Sequence, residues 1–430
     1  MIQRTYIKDI PSLAGQEATV VGFAQTIRAQ SKIAFLIVRD VTGILQTVIT
    51  IEQPEAFEIA KELSTESVVK VTGLVKEAKQ APGGFEIEVT KMEVLSVADA
   101  MLPIPIVEKK GGEETEAPIR FDYRWLDLRK QDKLQIFKVW TELEKGFREY
   151  WDKNNFLEIY TPSFMSTPSE TGAEVFEVNY FDRKAYLAQS PQFYKQMAMA
   201  SGFEKVFIAG PVFRAELSFT TRHLTEFTGW DFEMSYIESH HDLMDAEEAM
   251  IISGFTRLAA KFPELNIIVP ASPFPRITMV EAKKILAERG TPSPEEHDLS
   301  PEEERAISEY VQETFNHEFV FITEYHVSKS AFYHMRTEDG RGKRADLLYK
   351  GIEVTTLAQR EHRIDILEKQ ALEKGMSLEA LKDYLNFFRW GCPPHGGAGI
   401  GPGRFIMKIL DLPNVREATY LPRDVKRLNP

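Results

Sequence analysis

Four arginines stand in apolar, strand-like surroundings: Arg214 in GPVFRAE, Arg222 beside His223 in TTRHLTEF, Arg360 in TTLAQREHR and Arg404 in GIGPGRF. An arginine set into a buried strand pattern needs an anionic partner, and its planar fork fits a phosphate or a carboxylate. One such arginine reads most simply as half of an internal salt bridge to a glutamate. Four of them, alongside Asp346 and Glu353 at seven-residue spacing, weaken that reading and point to a bound anion. No Walker loop, GxSxG elbow, HExxH pair or GxGxxG after a strand is present, so the commonest nucleotide and hydrolase signatures are excluded.

These residues need a scaffold, and the chain offers two. Residues 17–97 read as short β-branched runs (EATVVGFAQTI, IAFLIVRDVTG, ILQTVITI, SVVKVTGLVKEA, FEIEVTKMEVLSV) parted by Gly43, Gly73 and Pro82-Gly83-Gly84. With the helix-like EAFEIAKELST between the third and fourth, the pattern predicts a five-stranded OB-fold barrel over 1–102. Residues 103–130, opening with PIPIVEKKGGEETEAP, read as a linker or hinge. From 131 to 430 the fold class is α+β. Ile136, Trp140, Leu143, Phe147 and Trp151 define an amphipathic helix from about Asp132 to Lys153 whose stripe is core or subunit interface. Strand-like runs without regular helical crossovers then predict a mostly antiparallel sheet flanked by helices.

The chain has 430 residues, 43% hydrophobic and 27% charged, a balance that excludes disordered and fibrous classes. No apolar run approaches the length of a membrane span, and the first residues contain no secretory h-region, so the reading is a cytoplasmic protein without membrane contact. A single cysteine, Cys392, excludes an internal disulfide and a thiolate metal cluster. The net charge of -13 repels nucleic acid at long range. Residues 1–107 carry ten Lys and Arg against thirteen Asp and Glu, so any nucleic-acid contact there rests on a few placed side chains.

A family comes into view in FRAELSFTTRHLTEFTGWDFEM (213–234) and GAGIGPGRFIMKIL (397–410), which resemble motifs 2 and 3 of the class II aminoacyl-tRNA synthetases. NNFLEIYTPSFM resembles motif 1, with Pro162 in the place of the dimer-interface proline. YLAQSPQFYKQMAMASGFEKVFIAGPVFRAE and PRDVKRLNP are similar to aspartyl-tRNA synthetases of the archaeal and eukaryotic type. The likeness covers essentially the whole chain. It implies two steps, activation of L-aspartate by ATP and transfer of the acyl group to tRNA-Asp, in a homodimer.

The resemblance also implies roles. Arg214 is the catalytic arginine on the α-phosphate, and Arg404, the second catalytic residue, holds the γ-phosphate near the adenine. Arg222 and His223 line the motif 2 loop, Phe227 stacks on the adenine and Glu216 accepts from its amine. Asp346, Glu353 and Thr356 match the family's Mg²⁺ site, where hard oxygen donors suit the ion. Lys195 and Arg360 match the cations that grip the aspartate side chain, with Gln192 and Asp231 on the ammonium group and Thr356 nearby. Glu170 and Gly172 match a loop that closes over the amino acid. Asparagine would leave two desolvated cations unpaired, at a cost of roughly 3 to 5 kcal/mol.

In the barrel, Arg28, Phe35 and Gln46 match anticodon-reading positions. Phe35 taken alone reads as core. Archaeal-type relatives that charge one tRNA tend to carry Trp in the first strand and Lys before the last, while those that also charge tRNA-Asn carry His and Pro. Here the positions are Gln25 and Pro82. Proline has no N–H to donate to a base, so the expectation is that tRNA-Asn is also a substrate.

Three departures keep a second reading open, a synthetase-derived protein that binds tRNA or a ligand without charging. Leu357 and Ala358 replace a Gly-Gly pair and are expected to crowd the adenylate pocket, Gly403 replaces a Glu, and Ser218-Phe219 replace a polar motif 2 loop.

Overall fold

Alternating burial builds the first unit. In the computed structural model, which describes residues 2–108, 114–167 and 174–430, strands β1 (Glu17–Ala29), β2 (Ile33–Asp40), β3 (Gly43–Thr50), β4 (Val68–Glu77) and β5 (Phe85–Ser96) close a barrel in the order β1-β2-β3-β5-β4. Val20, Ala34, Leu36, Val38, Ile49, Val69, Val71 and Ile87 fill its interior at zero exposure. The helix Pro54–Glu62 lies between β3 and β4, as the OB-fold pattern predicts. A Cβ on Gly73 would meet the Glu88 carbonyl oxygen at 2.0 Å, so only glycine lets β4 and β5 approach that closely.

The segment expected to be a linker is ordered into local structure in its described parts, residues 103–108 and 114–130. It holds the helices Ala117–Asp122 and Arg124–Asp127 and buries Ile104, Ile106 and Leu126. Its Arg124 Nη1 lies 2.6 Å from Asp127 Oδ2, both side chains at zero exposure. Pro and Gly composition hides this order, because a buried ion pair leaves no periodicity. The chain divides between Gln135 and Ile136, Pro430 falling with the first part, a little beyond the expected boundary.

In the second unit an eight-stranded sheet runs β12-β13-β14-β15-β16-β11-β10-β6. The strands are β6 (Leu157–Glu158), β10 (Lys205–Phe213), β11 (Glu226–Ser235), β12 (Arg276–Thr278), β13 (Phe319–Thr323), β14 (Arg344–Tyr349), β15 (Ile352–Gln359) and β16 (His395–Ile400). Its centre is antiparallel, and only the edge pairs β6/β10 and β12/β13 are parallel. Three further strands, β7 (Phe164–Met165), β8 (Glu177–Tyr180) and β9 (Arg183–Leu187), form a separate small sheet. The helix Gln131–Lys153 buries Ile136, Val139, Leu143, Phe147 and Trp151 in the main core, so the aromatic stripe is packing. Trp140 remains partly exposed there and donates through Nε1 to the Ala418 carbonyl at 2.7 Å. That helix crosses His240–Lys261 where Gly146 meets Gly254; a Cβ on Gly146 would sit 2.6 Å from the Gly254 Cα.

Candidate active site

A cleft of about 1360 Å³ opens on the face of β10, β11, β15 and β16. Strand alternation decides what it contains. On β11, Phe227, Gly229 and Asp231 share the cleft face, and on β15 a register shift brings Glu353 and Thr356 to the same side. All twelve described residues expected at the ATP and aspartate positions line it: Arg214, Glu216, Arg222, His223, Phe227, Glu353, Arg404, Gln192, Lys195, Asp231, Arg360 and Thr356. Glu170 and Gly172 lie outside the described residues.

The cations at one end have carboxylate partners. Arg214 Nη1 lies 3.6 Å from Glu216 Oε1, and its guanidinium stands 5.7 Å from the centre of the Phe227 ring. Arg222 Nη1 donates to Glu304 Oε2 at 2.5 Å. Burial pushes Glu304 up to about 7, against the pull of Arg222. Arg404 Nη1 donates to the Glu353 carbonyl at 2.8 Å and to Glu353 Oε1 at 3.2 Å. His223 is held below its ordinary range by burial and by Arg404.

The other end is a buried ionic floor. Lys195 Nζ donates to Asp231 Oδ2 at 2.8 Å and to the Ala398 carbonyl at 3.1 Å, and lies 3.3 Å from Glu233 Oε2. Arg360 donates from Nε to Glu233 Oε1 at 2.9 Å and from Nη2 to the Gly397 carbonyl at 3.0 Å. Burial raises Asp231, while Arg360 and Lys195 together hold Glu233 below its ordinary range despite its burial. Gln192 donates to Gln196 Oε1 at 2.9 Å, which Tyr384 also reaches at 3.0 Å. A Cβ on Gly397 would meet Glu233 Oε2 at 2.3 Å, so this glycine makes room for the carboxylate.

Glu233 was not anticipated, and it changes the account of selectivity. The two cations are compensated without a substrate, so an asparagine in the cleft does not leave them bare. The available signal was the pair Asp231 and Glu233 at alternate positions of an otherwise apolar strand, where buried acids require partners. Arg344, Tyr333 and His334 also line the cleft without having been anticipated.

Asp346 stands apart from its expected companions. It is 4% exposed, does not border the cleft, and both its oxygens accept from Arg344 Nη2 at 2.6 Å. Glu353 and Thr356 do border it. Among the described residues no group of three or more His, Cys, Asp or Glu is gathered closely enough to hold a metal ion by itself.

The departures from the motif resolve locally. Leu357 and Ala358 have zero exposure and neither lines the cleft; Leu357 packs into the main core, so they do not crowd it. Gly403 does line the cleft, and a Cβ there would meet Val415 Cγ2 at 3.1 Å. Phe219 serves as a ring for Arg416, whose guanidinium lies 4.2 Å from its centre.

On the barrel, Arg28 pairs with Phe35 across β1 and β2, and Phe35 with Val48 across β2 and β3, two residue pairs from Ile37 and Gln46. Ala34, Leu36 and Val38 fill the interior, so Phe35 faces outward and is not core. Gln46 donates to Glu86 Oε2 at 2.8 Å. Gln25 is the extra residue of a bulge in β1 and accepts from Arg39 at 3.2 Å. Pro82 opens the turn Pro82–Gly84, which packs beside β3.

Residues 116–425 match the family of class II tRNA synthetases (D, K and N), and residues 18–95 match the OB-fold nucleic acid binding domain. The chain is 42% identical to the aspartate–tRNA(Asp/Asn) ligase of Aeropyrum pernix and 39% identical to the aspartate–tRNA(Asp) ligase of Pyrococcus abyssi, with 100% of each chain covered. Among solved structures it resembles the asparaginyl-tRNA synthetase of Pyrococcus horikoshii in complex with asparaginyl-adenylate, with a TM-score of 0.92, 33% identity and 100% of both chains covered. It also resembles the aspartyl-tRNA synthetase of Entamoeba histolytica, with a TM-score of 0.88, 32% identity, and coverage of 100% of this chain and 93% of that one.

Proposed function

The chain belongs to the class II tRNA synthetases (D, K and N), and from that premise we propose how its cleft carries out the reaction of an aspartate–tRNA ligase. The enzyme activates L-aspartate with ATP and passes the aspartyl group to tRNA. The observation that carries the residue assignments is one cleft with an ionic floor of Lys195, Asp231, Glu233 and Arg360 and, bordering the same space, Arg214, Arg222 and Arg404.

Lys195 and Arg360 receive the side-chain carboxylate of aspartate, and Asp231 and Gln192 receive its ammonium group. The α-carboxylate then attacks the α-phosphate of ATP and pyrophosphate leaves. Such a step needs positioning and charge neutralisation more than proton transfer. Arg214 meets the charge that grows on the α-phosphate, and Arg222, His223 and Arg404 meet the β- and γ-phosphates. Each arginine exchanges a carboxylate partner (Glu216, Glu304 or Glu353) for phosphate oxygens, so the cleft is kept near neutrality before ATP arrives. Phe227 offers a ring face to the adenine, and Glu216, once free of Arg214, accepts from its amine.

Mg²⁺ fits this site as an ion carried in by the phosphates. Glu353 and Thr356 present hard oxygens to the cleft, and Mg²⁺ takes one or two protein oxygens with phosphates and water for the rest. When bound it would neutralise phosphate charge, while Asp346 is committed to Arg344.

We assign tRNA reading to Arg28, Phe35 and Gln46, and extend it to tRNA-Asn through Pro82; Gln25 matches neither the narrow nor the broad pattern. The relatives named for both tRNAs at 42% and 39% identity support that breadth. A homodimer through the segment of Pro162 is supported by the exposure of Leu157, at 52%, and Tyr160, at 82%, beside the edge strand β6. We place the enzyme in the cytoplasm, where translation uses its product; among the described residues no helix is long and apolar enough to cross a membrane.

The test is exchange of pyrophosphate into ATP with aspartate or asparagine, followed by charging of tRNA-Asp and tRNA-Asn transcripts side by side. Exchange with asparagine and not aspartate overturns the amino-acid assignment. Absence of any exchange in folded protein favours the non-charging reading. A preference for tRNA-Asp beyond roughly a hundredfold, about 2.7 kcal/mol, overturns the broad tRNA reading.

A further inference from the structure

His334 belongs to none of the motifs, yet it forms part of the cleft wall at 5% exposure. Its backbone pairs with that of Arg360 in an isolated bridge, so the two residues stand opposite each other. The segment is fixed from three sides. Met335 N–H donates to the Gln359 carbonyl at 2.9 Å, Glu361 N–H donates to the Tyr333 carbonyl at 2.9 Å, and Gln370 Nε2 donates to the carbonyls of Phe332 at 2.6 Å and His334 at 3.1 Å. The Tyr333 ring stands edge-on, 5.0 Å away.

Held this firmly, the imidazole still lacks a partner. Nδ1 is buried without a hydrogen bond, and Nε2 makes none among the described residues. Burial, with Arg360, Arg344, Lys195 and Lys374 around it, holds the ring well below its ordinary range, so it carries one N–H donor and one lone pair. A ring orphaned among cations lacks an acceptor, and an anionic ligand would supply one. The neighbouring cations have already committed donors, Lys195 to Asp231 and Arg360 to Glu233.

We propose that His334 is a further specificity-determining residue of this site, its ring N–H donating to the side-chain carboxylate of the bound aspartate beside Lys195 and Arg360. Aspartate offers two acceptor oxygens to these three donors, whereas asparagine offers one, and its NH₂ is accommodated only if His334 turns its lone pair to it or Asp231 or Glu233 gives up a bond to Lys195 or Arg360. The proposal rests on the aspartate-ligase reading.

The experiment is aspartate-dependent pyrophosphate exchange with His334→Phe, which keeps the ring and loses the donor, and with His334→Asn and His334→Gln, whose amides occupy the places of Nδ1 and Nε2. His334→Phe should raise the KM for aspartate at least tenfold with the KM for ATP within about twofold, and one amide variant should recover to within about threefold of wild type. An unchanged aspartate KM in His334→Phe, a parallel rise in the KM for ATP, or failure of both amides overturns the proposal. Should His334→Phe not fold, ¹⁵N-histidine spectra of the wild-type enzyme decide: aspartate should bring out a protected imidazole N–H that is absent from His334→Gln or His334→Asn, and no such signal overturns the idea. Wild type inactive with aspartate overturns the ligase reading itself, a result separate from wild type active and His334→Phe normal.

Discussion

The guanidinium of Arg360 rests on the carboxylate of Glu233, Nε to Oε1 at 2.9 Å and Nη2 to Oε2 at 3.3 Å, both side chains buried. The same carboxylate lies 3.3 Å from Lys195 Nζ. One acid therefore orients both cations of the floor and compensates them in the empty cleft. Charge by itself is then a weaker filter against asparagine than two bare cations would be, and selection falls to the direction of the remaining donors.

Glu233→Gln should destabilise the protein by about 3 to 5 kcal/mol, because it leaves buried cations short of a partner. Chemical unfolding at neutral pH measures this. A wild-type midpoint would show that the floor does not depend on this acid.

Arg214→Ala or Arg404→Ala should lower aspartate-dependent exchange by at least two orders of magnitude, as loss of a group that meets developing charge does. Arg404 also holds Glu353, so its variant should need more Mg²⁺ for half-maximal rate. Normal exchange in both variants would falsify their assignment to the phosphates.

Phe35→Ala should raise the KM for tRNA by roughly 5- to 150-fold, the range of about 1 to 3 kcal/mol for one stacked base, and leave pyrophosphate exchange untouched. The outward position of Phe35 motivates this. Equal loss in exchange and charging would mean that the ring supports the fold.

Glu247, at zero exposure in the helix His240–Lys261, has its carboxyl pushed up to about 8 by burial, against the Thr355 hydroxyl. The folded protein keeps this proton while the unfolded chain releases it above the ordinary value of 4.5, so this group's contribution to stability is lost as pH rises from about 4.5 through 8. Glu247→Gln removes the titration. Its stability relative to wild type should climb by roughly 1.4 kcal/mol per pH unit across that window, read as unfolding midpoints at pH 5 and pH 8. A constant difference would place the carboxyl in its ordinary range.

The amino-acid sequence by itself determined the barrel and the long helix, because period-two and helical spacing are local, and it marked Arg214, Arg222, Arg360 and Arg404 as anion-seeking because arginines in apolar strands are conspicuous. It could not reveal that each is already paired, since Arg360 and Glu233 are 127 positions apart and Arg222 and Glu304 are 82 apart. Leu357 and Ala358 looked like obstructions to the adenylate pocket. The register of β15 against β16 puts Leu357 opposite Ala398 and into the core, and Ala358 opposite Gly397, buried and outside the cleft lining. No spacing or motif singled out His334, and only the bridge to Arg360 places it in the cleft wall. Local pattern decides which elements form, whereas sheet order and register decide which side chains meet, and those depend on contacts between segments far apart in the chain.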